Sequence, residues 1–427
     1  MRRSQGLWRH PDFVRLWAGQ TVSEFGAQIT MVALPLTAVL LLHAGPLAMG
    51  LLGATQMLPF ILIGLFVGVS VDRVRRRPLL IVADSVRAVC LALIPALALL
   101  HALHMVDLYA VGFLMGTMTV LFDVAYQSYL PALVSRDGLV EGNSKLEMTR
   151  ALSQVAGPSL GGVLVSALTA PVAIMANVFT YGVSVASLLL IRAREAAPEP
   201  VSHGQTVWRE ISEGLRFVLG RRDLGSIAGC TSTANLFANM GLSVYVLFAV
   251  HRIGVTASWL GLLYAGGSLG GVLGAYAAGR MGERIGVGPT IALGAVISAL
   301  AGLLVPLAPR GLALGLPLLI LAQMAVGTGA TLYNITQVTL RQKLTPDRLL
   351  GRMNASMRFV VWGSIPVGSL IGGILGQHIG LRPTLWVSGI GGLFAVLWIL
   401  FSPVLHLREH PEPLETGEGA PEALTSV

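Results

Sequence analysis

The chain has 427 residues, 54% hydrophobic and only 12% charged, with a formal net charge of +8 and a mean hydropathy of +0.73. A soluble domain carries about 25% charged residues, so this composition excludes an ordinary soluble enzyme. The positive excess is no nucleic-acid footprint either, because it sits in short polar loops between apolar runs that reach the ~20 residues needed to cross a bilayer.

A basic arm, Met1-Arg-Arg-Ser-Gln-Gly-Leu-Trp8, comes first, and the apolar run after it is too long for the core of a secretory signal. The first predicted span covers roughly 13–42 and contains Glu24 and Gln28; the second covers roughly 46–71 and contains Gln56. Between the second and third spans, Gly68-Val-Ser-Val-Asp72-Arg73-Val-Arg-Arg76-Arg77 crowds one acid and four arginines into a short loop. The third span, about 78–102, begins with Asp84 and Arg87 one turn apart, which read as interfacial helpers to that loop, and it contains Cys90. Asp123 lies in the fourth span, about 106–130. The fifth, about 140–168, carries Glu147, Arg150 and then Gly157-Pro158-Ser-Leu-Gly161-Gly162. Glycines at this spacing bare one helix face for close packing, and the proline bends the helix. A sixth span covers about 171–191.

Residues 192–223 form a polar linker in which Val207–Leu219 has apolar residues at helical spacing, the pattern of a helix lying on a membrane surface. Six further spans follow, roughly 224–250, 256–279, 287–308, 312–340, 349–379 and 381–402. The seventh holds Cys230, Asn235, Asn239 and Tyr245, the tenth Asn334 and Gln337, and the eleventh Arg358. The two cysteines, each inside an apolar run, read as buried small residues. The tail, 403–427, is polar and reads as disordered.

All lysines and arginines except Arg252, Arg310 and Arg382 fall at the amino terminus, in the even-numbered loops with their flanking helix ends, or in the tail. That bias places both termini in the cytoplasm. The chain also repeats itself. A shift of 211 lays Asn143 on Asn354, Gly157 on Gly368, Gly161 on Gly372 and Gly162 on Gly373; a shift of 207 lays Arg73 on Arg280 and Arg77 on Arg284. The expected fold is an all-α membrane protein of twelve helices in two pseudo-symmetric six-helix bundles, 1–191 and 224–402.

Gly68, Asp72, Arg73, Arg76 and Arg77 at this spacing, between spans two and three, resemble the loop signature of the major facilitator superfamily, although Arg75 stands where many members have a second glycine. The physical rationale is a charge latch: Asp72 and its arginines hold the cytoplasmic side closed in one state of a two-state switch. The plainer reading, a topology anchor, accounts for the arginines but not for Asp72. Gly157, Pro158, Gly161 and Gly162 match the antiporter motif of drug-exporting members. Phe13–Gln20, Glu213–Leu219 and Gly351–Asn354 look like macrolide and siderophore exporters of that superfamily.

Ionisable groups inside spans cost roughly 2.5–3.5 kcal/mol or more at the bilayer centre, so each is a functional candidate. Glu24 and Asp123 are expected to include a proton-carrying carboxylate, with Arg150 tuning its proton affinity and Glu147 one turn away; the alternative is an ion pair that only fixes helix packing. Arg358 holds the repeat position of Glu147 and could receive an anionic partner. Gln28, Gln56, Asn235, Asn239, Tyr245, Asn334 and Gln337 are candidates to line a substrate cavity, against the alternative of amides bonded between helices. No Walker motif, Ser-His-Asp arrangement or zinc spacing occurs in the sequence. The expected energy source is a proton gradient, with no cofactor, metal or nucleic acid. The resemblance thus implies a monomeric bacterial plasma-membrane exporter of hydrophobic or amphipathic small molecules. A dedicated exporter of a siderophore or other self-made metabolite is a second reading, and a non-transporting receptor or scaffold a third.

Overall fold

The computed structural model describes residues 7–64, 67, 74–134, 138–193, 195 and 207–408. Each predicted span corresponds to a helix: α1 (Pro11–Leu36), α2 (Pro46–Leu62), α3 (Arg76–Leu99), α4 (Met105–Leu133), α5 (Leu139–Ala167) and α6 (Ala170–Leu190) in the first half. After α7 (Val207–Gly220), the amphipathic segment of the linker, come α8 (Arg222–Phe248), α9 (Ala257–Ile285), α10 (Val287–Leu307), α11 (Leu312–Lys343), α12 (Asp347–His378) and α13 (Leu381–Leu400). Ten of these are long and apolar enough to cross a membrane. The other two spans are α2, whose continuation lies outside the described residues, and α5, which carries Glu141, Lys145, Glu147 and Arg150 in its first half.

Local chemistry sets the helix ends. His10 caps α1 by accepting the Phe13 amide on Nδ1 at 3.1 Å, and Pro11 opens the helix with its pre-set φ. Gly286, at φ 92°, turns α9 directly into α10, a conformation that would strain any residue with a Cβ. The two halves share the rare ending of their first helices: α1 runs into a π-turn at Thr37–Leu41 and α8 into one at Ala249–Ile253.

Within the first half α1 packs on α5 and α6, and α3 on α4 and α6; within the second, α8 packs on α12 and α13, and α11 on α9 and α10. The halves meet chiefly through two helix pairs, α2 with α12 and α5 with α9. The buried apolar residues show where they are joined. One cluster draws on both halves (Leu36, Val39 and Leu52 with Val244, Phe248 and Leu260) at the end remote from the chain termini. At the terminal end there are two separate clusters, one around Phe13, Leu80 and Tyr129, the other around Val218, Ile291 and Met353. The halves are therefore sealed together at the far end, with a cleft between them opening toward the terminal end.

Each half is closed at the terminal end by the segment after its sixth span. Glu195 accepts the amides of Arg76 at 2.8 Å and Arg77 at 3.2 Å, capping the start of α3. Asp12 accepts the amides of Arg192 and Ala193. In the second half the repeat-related donors, Val287 and Gly288, bond the carbonyls of Arg408 and Leu407. Residues 403–408 are thus packed, with Val404 fully buried, where the sequence suggested a disordered tail from 403; the apolar Pro403–His406 turn fills the gap beneath α8 and α10. Residues 409–427 lie outside the described residues. The anionic cap on α3 leads to a prediction: Glu195→Ala should cost about 1–2 kcal/mol, read as a lower melting temperature of the purified protein.

The linker helix α7 belongs to the second half. Glu213 pairs with Arg352 of α12 at 2.7 Å. Gly214 lies so close to α12 that an added Cβ would stand 2.6 Å from the Arg352 carbonyl oxygen.

Candidate functional site

Glu24, Asp123 and Arg150 lie roughly 15–20 Å from the terminal ends of α1, α4 and α5 at 1.5 Å per residue, and the structure brings them together. The charges of Arg150, Asp123, Glu147 and Arg87 all act on the Glu24 carboxylate, and those of Arg87, Arg150 and Arg358 on Asp123. Both acids are half-buried. Neither makes a hydrogen bond or ion pair with any described residue. Arg150 and Glu147 form a loose pair at 3.9 Å and are exposed on the cleft, at 58% and 73% of their side-chain surface. Tyr126, one turn from Asp123 and stacked on Phe122, completes this wall and was not singled out from the sequence.

Arg87 is held behind the acids. It bonds Asp84 at 3.0 Å and the Met118 carbonyl of α4 at 3.1 Å, while Ser184 of α6 donates to Asp84 at 2.6 Å. Its guanidinium lies 4.7 Å from the Phe122 ring centroid and 5.6 Å from that of Tyr181. Asp84 is 0% and Arg87 5% exposed, so they are an internal tie between α3, α4 and α6 and not helpers at the interface. Their positions follow from helix geometry, since two residues three apart on α3 face the same two neighbours. On the opposite side of the cleft, Arg358 of α12 lies over the Trp362 ring at 4.6 Å, and Trp362 meets Phe60 of α2 edge-on at 5.0 Å.

The glycine motif of α5 forms part of the far-end seal. Cβ atoms at Gly157 and Gly161 would strike α1, at Gln28 Cβ (2.5 Å) and Ile29 Cα (3.0 Å); one at Gly162 would strike the Ala257 carbonyl oxygen of α9 at 2.5 Å. Pro158 presents its carbonyl to Gly261. The repeat is reproduced in space: Gly368 and Gly372 face the Leu236 and Met240 carbonyls of α8, and Gly373 faces Gly50 of α2. Gly50 and Gly261 are themselves 211 residues apart. Two symmetry-related glycine contacts therefore bolt the halves together.

Of the loop signature, Gly68, Asp72 and Arg73 lie outside the described residues. Arg76 pairs with Glu195 at 3.4 Å, and Arg77 donates to the Leu188 and Leu189 carbonyls of α6. These two arginines therefore fasten α3 to the end of α6 within their own half.

The amides proposed to line a cavity are mostly engaged in packing. Asn235 donates to the Val361 carbonyl of α12, Asn239 and Gln56 to carbonyls of their own helices, and Gln337 to Asn334. Gln28 packs on Gly157, Asn334 is exposed, and Tyr245 is buried at 4% exposure with its ring 6.4 Å from that of Tyr264. Asn177, which donates to Thr30 at 2.6 Å and ties α6 to α1, was missed; a lone amide in an otherwise apolar span was the available signal. Among the described residues no group of His, Cys, Asp or Glu is placed to hold a metal ion, and Cys90 and Cys230 are buried free thiols.

A family model described as transmembrane secretion effector matches residues 6–419. The sequence is 28% identical to the enterobactin exporter EntS of Citrobacter koseri over 425 residues, 97% of each chain. It is 27% identical to the multidrug efflux pump Tap of Mycolicibacterium fortuitum over 410 residues, 94% of this chain and 97% of that one. Among solved structures, the nucleoside transporter NupG superposes with a TM-score of 0.73 at 12% identity, over 91% of this chain and 99% of that one. A bacterial homologue of the human lysosomal transporter Spinster, inward-facing and occupied, gives 0.70 at 12% identity, over 93% and 97%. At such identities these two structures speak to the fold alone.

Proposed function

This chain belongs to the transmembrane secretion effector family, multi-pass membrane transporters of the major facilitator superfamily and not enzymes, and from that premise we propose that it exports amphipathic small molecules in exchange for protons. The observation that carries the coupling is the pair of half-buried carboxylates, Glu24 and Asp123, without a bonding partner in a cleft open to one side. A group that must gain and lose a proton once per cycle cannot be committed to a permanent donor. The bacterial relatives support a plasma-membrane setting, and the clustered Lys and Arg support an orientation with the terminal end in the cytoplasm. On that orientation the cleft faces the cytoplasm and the glycine bolts seal the outside. Proton binding from outside favours release of substrate, and proton loss to the cytoplasm restores the substrate-ready form. No cofactor or nucleic acid enters this scheme, and a monomer suffices for it.

The test uses inside-out vesicles with an acidic lumen, following uptake of dyes and macrolides together with lumenal pH. Gradient-driven uptake and the accompanying proton leak should fall at least tenfold in Asp123→Asn or Glu24→Gln, at unchanged protein level and melting temperature. Wild-type uptake in both variants would remove these acids from the coupling. A second reading, export of a self-made anionic metabolite, draws on the enterobactin exporters among the relatives and on the exposed Arg358, which no described carboxylate pairs. It gains if no panel compound moves and a host metabolite does.

A further inference from the structure

The cleft, with Gln154, Ala275 and Gln323 in its walls, is not the only large concavity among the described residues. A groove of about 800 Å³ lies on the outside of the first half, between the start of α3 and the end of α6. α3 packs on α4 and α6, away from the helix pairs that join the halves, so the groove faces the bilayer. Its lining changes along the helix. Arg75, Arg77 and Arg192 stand at the terminal end, and Pro78, Val82 and Leu189 come just beyond them. Val82 and Leu189 are exposed, and so are Val89 and Leu93, which continue the same face of α3. Val82 to Leu93 spans roughly 16 Å, about the depth of one leaflet's hydrocarbon. The acids near the arginines are already spent. Glu195, also in the lining, caps the amides of Arg76 and Arg77 and pairs with the Arg76 guanidinium. Asp12 holds the amides of Arg192 and Ala193 and pairs with Arg15. Arg77 uses Nε and Nη2 on the Leu188 and Leu189 carbonyls. Arg75 and Arg192 are exposed, and their guanidinium groups bond no described residue.

We propose that this groove holds an anionic phospholipid of the leaflet at the terminal end, its phosphate on Arg75 and Arg192 and an acyl chain along Val82, Val89 and Leu93. A guanidinium presents a fork of donors that matches phosphate oxygens, and basic pockets beside spanning helices at this level suit acidic head groups. A soluble phosphate would meet the same two arginines but gain nothing from the apolar face below them. A zwitterionic lipid would bring a cation of its own to a surface already in positive excess. The groove therefore selects lipid over free anion, and anionic lipid over neutral. Arg75 makes the site particular to this chain, because it stands where the loop signature of the superfamily often has a glycine, which offers neither charge nor side-chain donor. A lipid seated here braces α3 against α6 from the membrane side, alongside the Arg77 contacts that already join them. The site does not depend on what the protein transports.

Because Cys90 and Cys230 are buried, a single added cysteine carries a fluorescent label alone. The full chain is labelled with bimane at Val82→Cys in the groove or, as control, at Leu99→Cys, exposed at the other end of α3. It is then placed in phosphatidylcholine bilayers containing increasing amounts of brominated phosphatidylglycerol, whose bromines quench the label on contact. One arginine at an anionic surface is worth roughly a fivefold preference. Phosphatidylglycerol should therefore outcompete phosphatidylcholine at least fivefold at position 82 and show no preference at position 99. Arg75→Gln combined with Arg192→Gln should abolish the preference, whereas Arg75→Lys combined with Arg192→Lys, which keeps the charge, should retain most of it. Arg75→Gly, the residue common in the signature, serves if the glutamine pair fails to fold, and should lower the preference severalfold. Millimolar glycerol phosphate should leave the quenching unchanged. No preference at position 82, an equal preference at position 99, or a preference that survives the glutamine pair or Arg75→Gly would each overturn the assignment. Displacement by glycerol phosphate would overturn it in favour of a soluble anion.

Discussion

Gly373→Leu is expected to reduce transport to background while the protein still folds. A Cβ at Gly373 would stand 2.9 Å from Gly50 Cα, 3.0 Å from the Pro46 carbonyl oxygen and 3.2 Å from Leu47 Cα. All three are backbone atoms that no rotamer change can move aside. Overpacking costs about 1–3 kcal/mol even where side chains can adjust. Here the cost falls only on the state in which the far end is sealed. A penalty of about 3 kcal/mol on one of two states shifts their ratio by more than a hundredfold, enough to hold the transporter open at the far end. Gly162→Leu should act alike through α9, and the matched control is Gly182→Leu, where an added Cβ meets nothing within 4 Å. Vesicle uptake reads the loss. Labelling of Ala275→Cys by an impermeant maleimide applied from the far side reads its cause: it should rise in both seal variants and stay low in the control. Normal uptake by Gly373→Leu would refute the bolt.

Asp84→Ala should be the most destabilising single change in the first half. It leaves the Arg87 guanidinium, 5% exposed, with one carbonyl and two ring faces in place of its counter-ion. Removing one member of a buried pair costs about 3–5 kcal/mol, whereas replacing both with apolar groups of similar volume is often neutral. Asp84→Leu combined with Arg87→Met should therefore melt within about 1 kcal/mol of the native protein. Transport separates stability from function here, because the charge of Arg87 acts on both Glu24 and Asp123. The double variant should recover its melting temperature and not its uptake. Recovery of both would make the pair purely structural.

The spans, the repeat and the linker helix were legible because each is a property of segments: apolar length, recurring glycines, one strongly amphipathic stretch. What the sequence could not supply was direction around the helix axis. In water a helix buries one face and the pattern reveals which; in a bilayer both the lipid face and the packed face are apolar, so the contrast vanishes. Gln337 and Asn235 were therefore indistinguishable from Gln154 and Gln323, although the first two face neighbouring helices and the last two face the cleft. Asp84 and Arg87 were misread for a related reason: their place near the start of a span suggested the interface, but neighbours on α4 and α6 enclose them. Pro403–His406 is too short to carry a periodic signal, and its burial depends on a gap that exists only once α8 and α10 have packed.

That last segment bears on how the chain is made. Each half is finished at its terminal end by its own latest residues, Arg192 to Glu195 in one and Pro403 to Arg408 in the other. The first half has all its parts once Glu195 is synthesised; the second waits for Val404, which at a ribosomal rate of about 5–20 residues per second arrives some 10–40 s later. Until Leu260 is made, about 3–13 s after Glu195 at the same rate, Leu36, Val39 and Leu52 lack the second-half residues Val244, Phe248 and Leu260 that complete their cluster. Lipid or the insertion machinery must cover them, so the far-end seal that later closes the cleft is also the surface most open to capture during biogenesis.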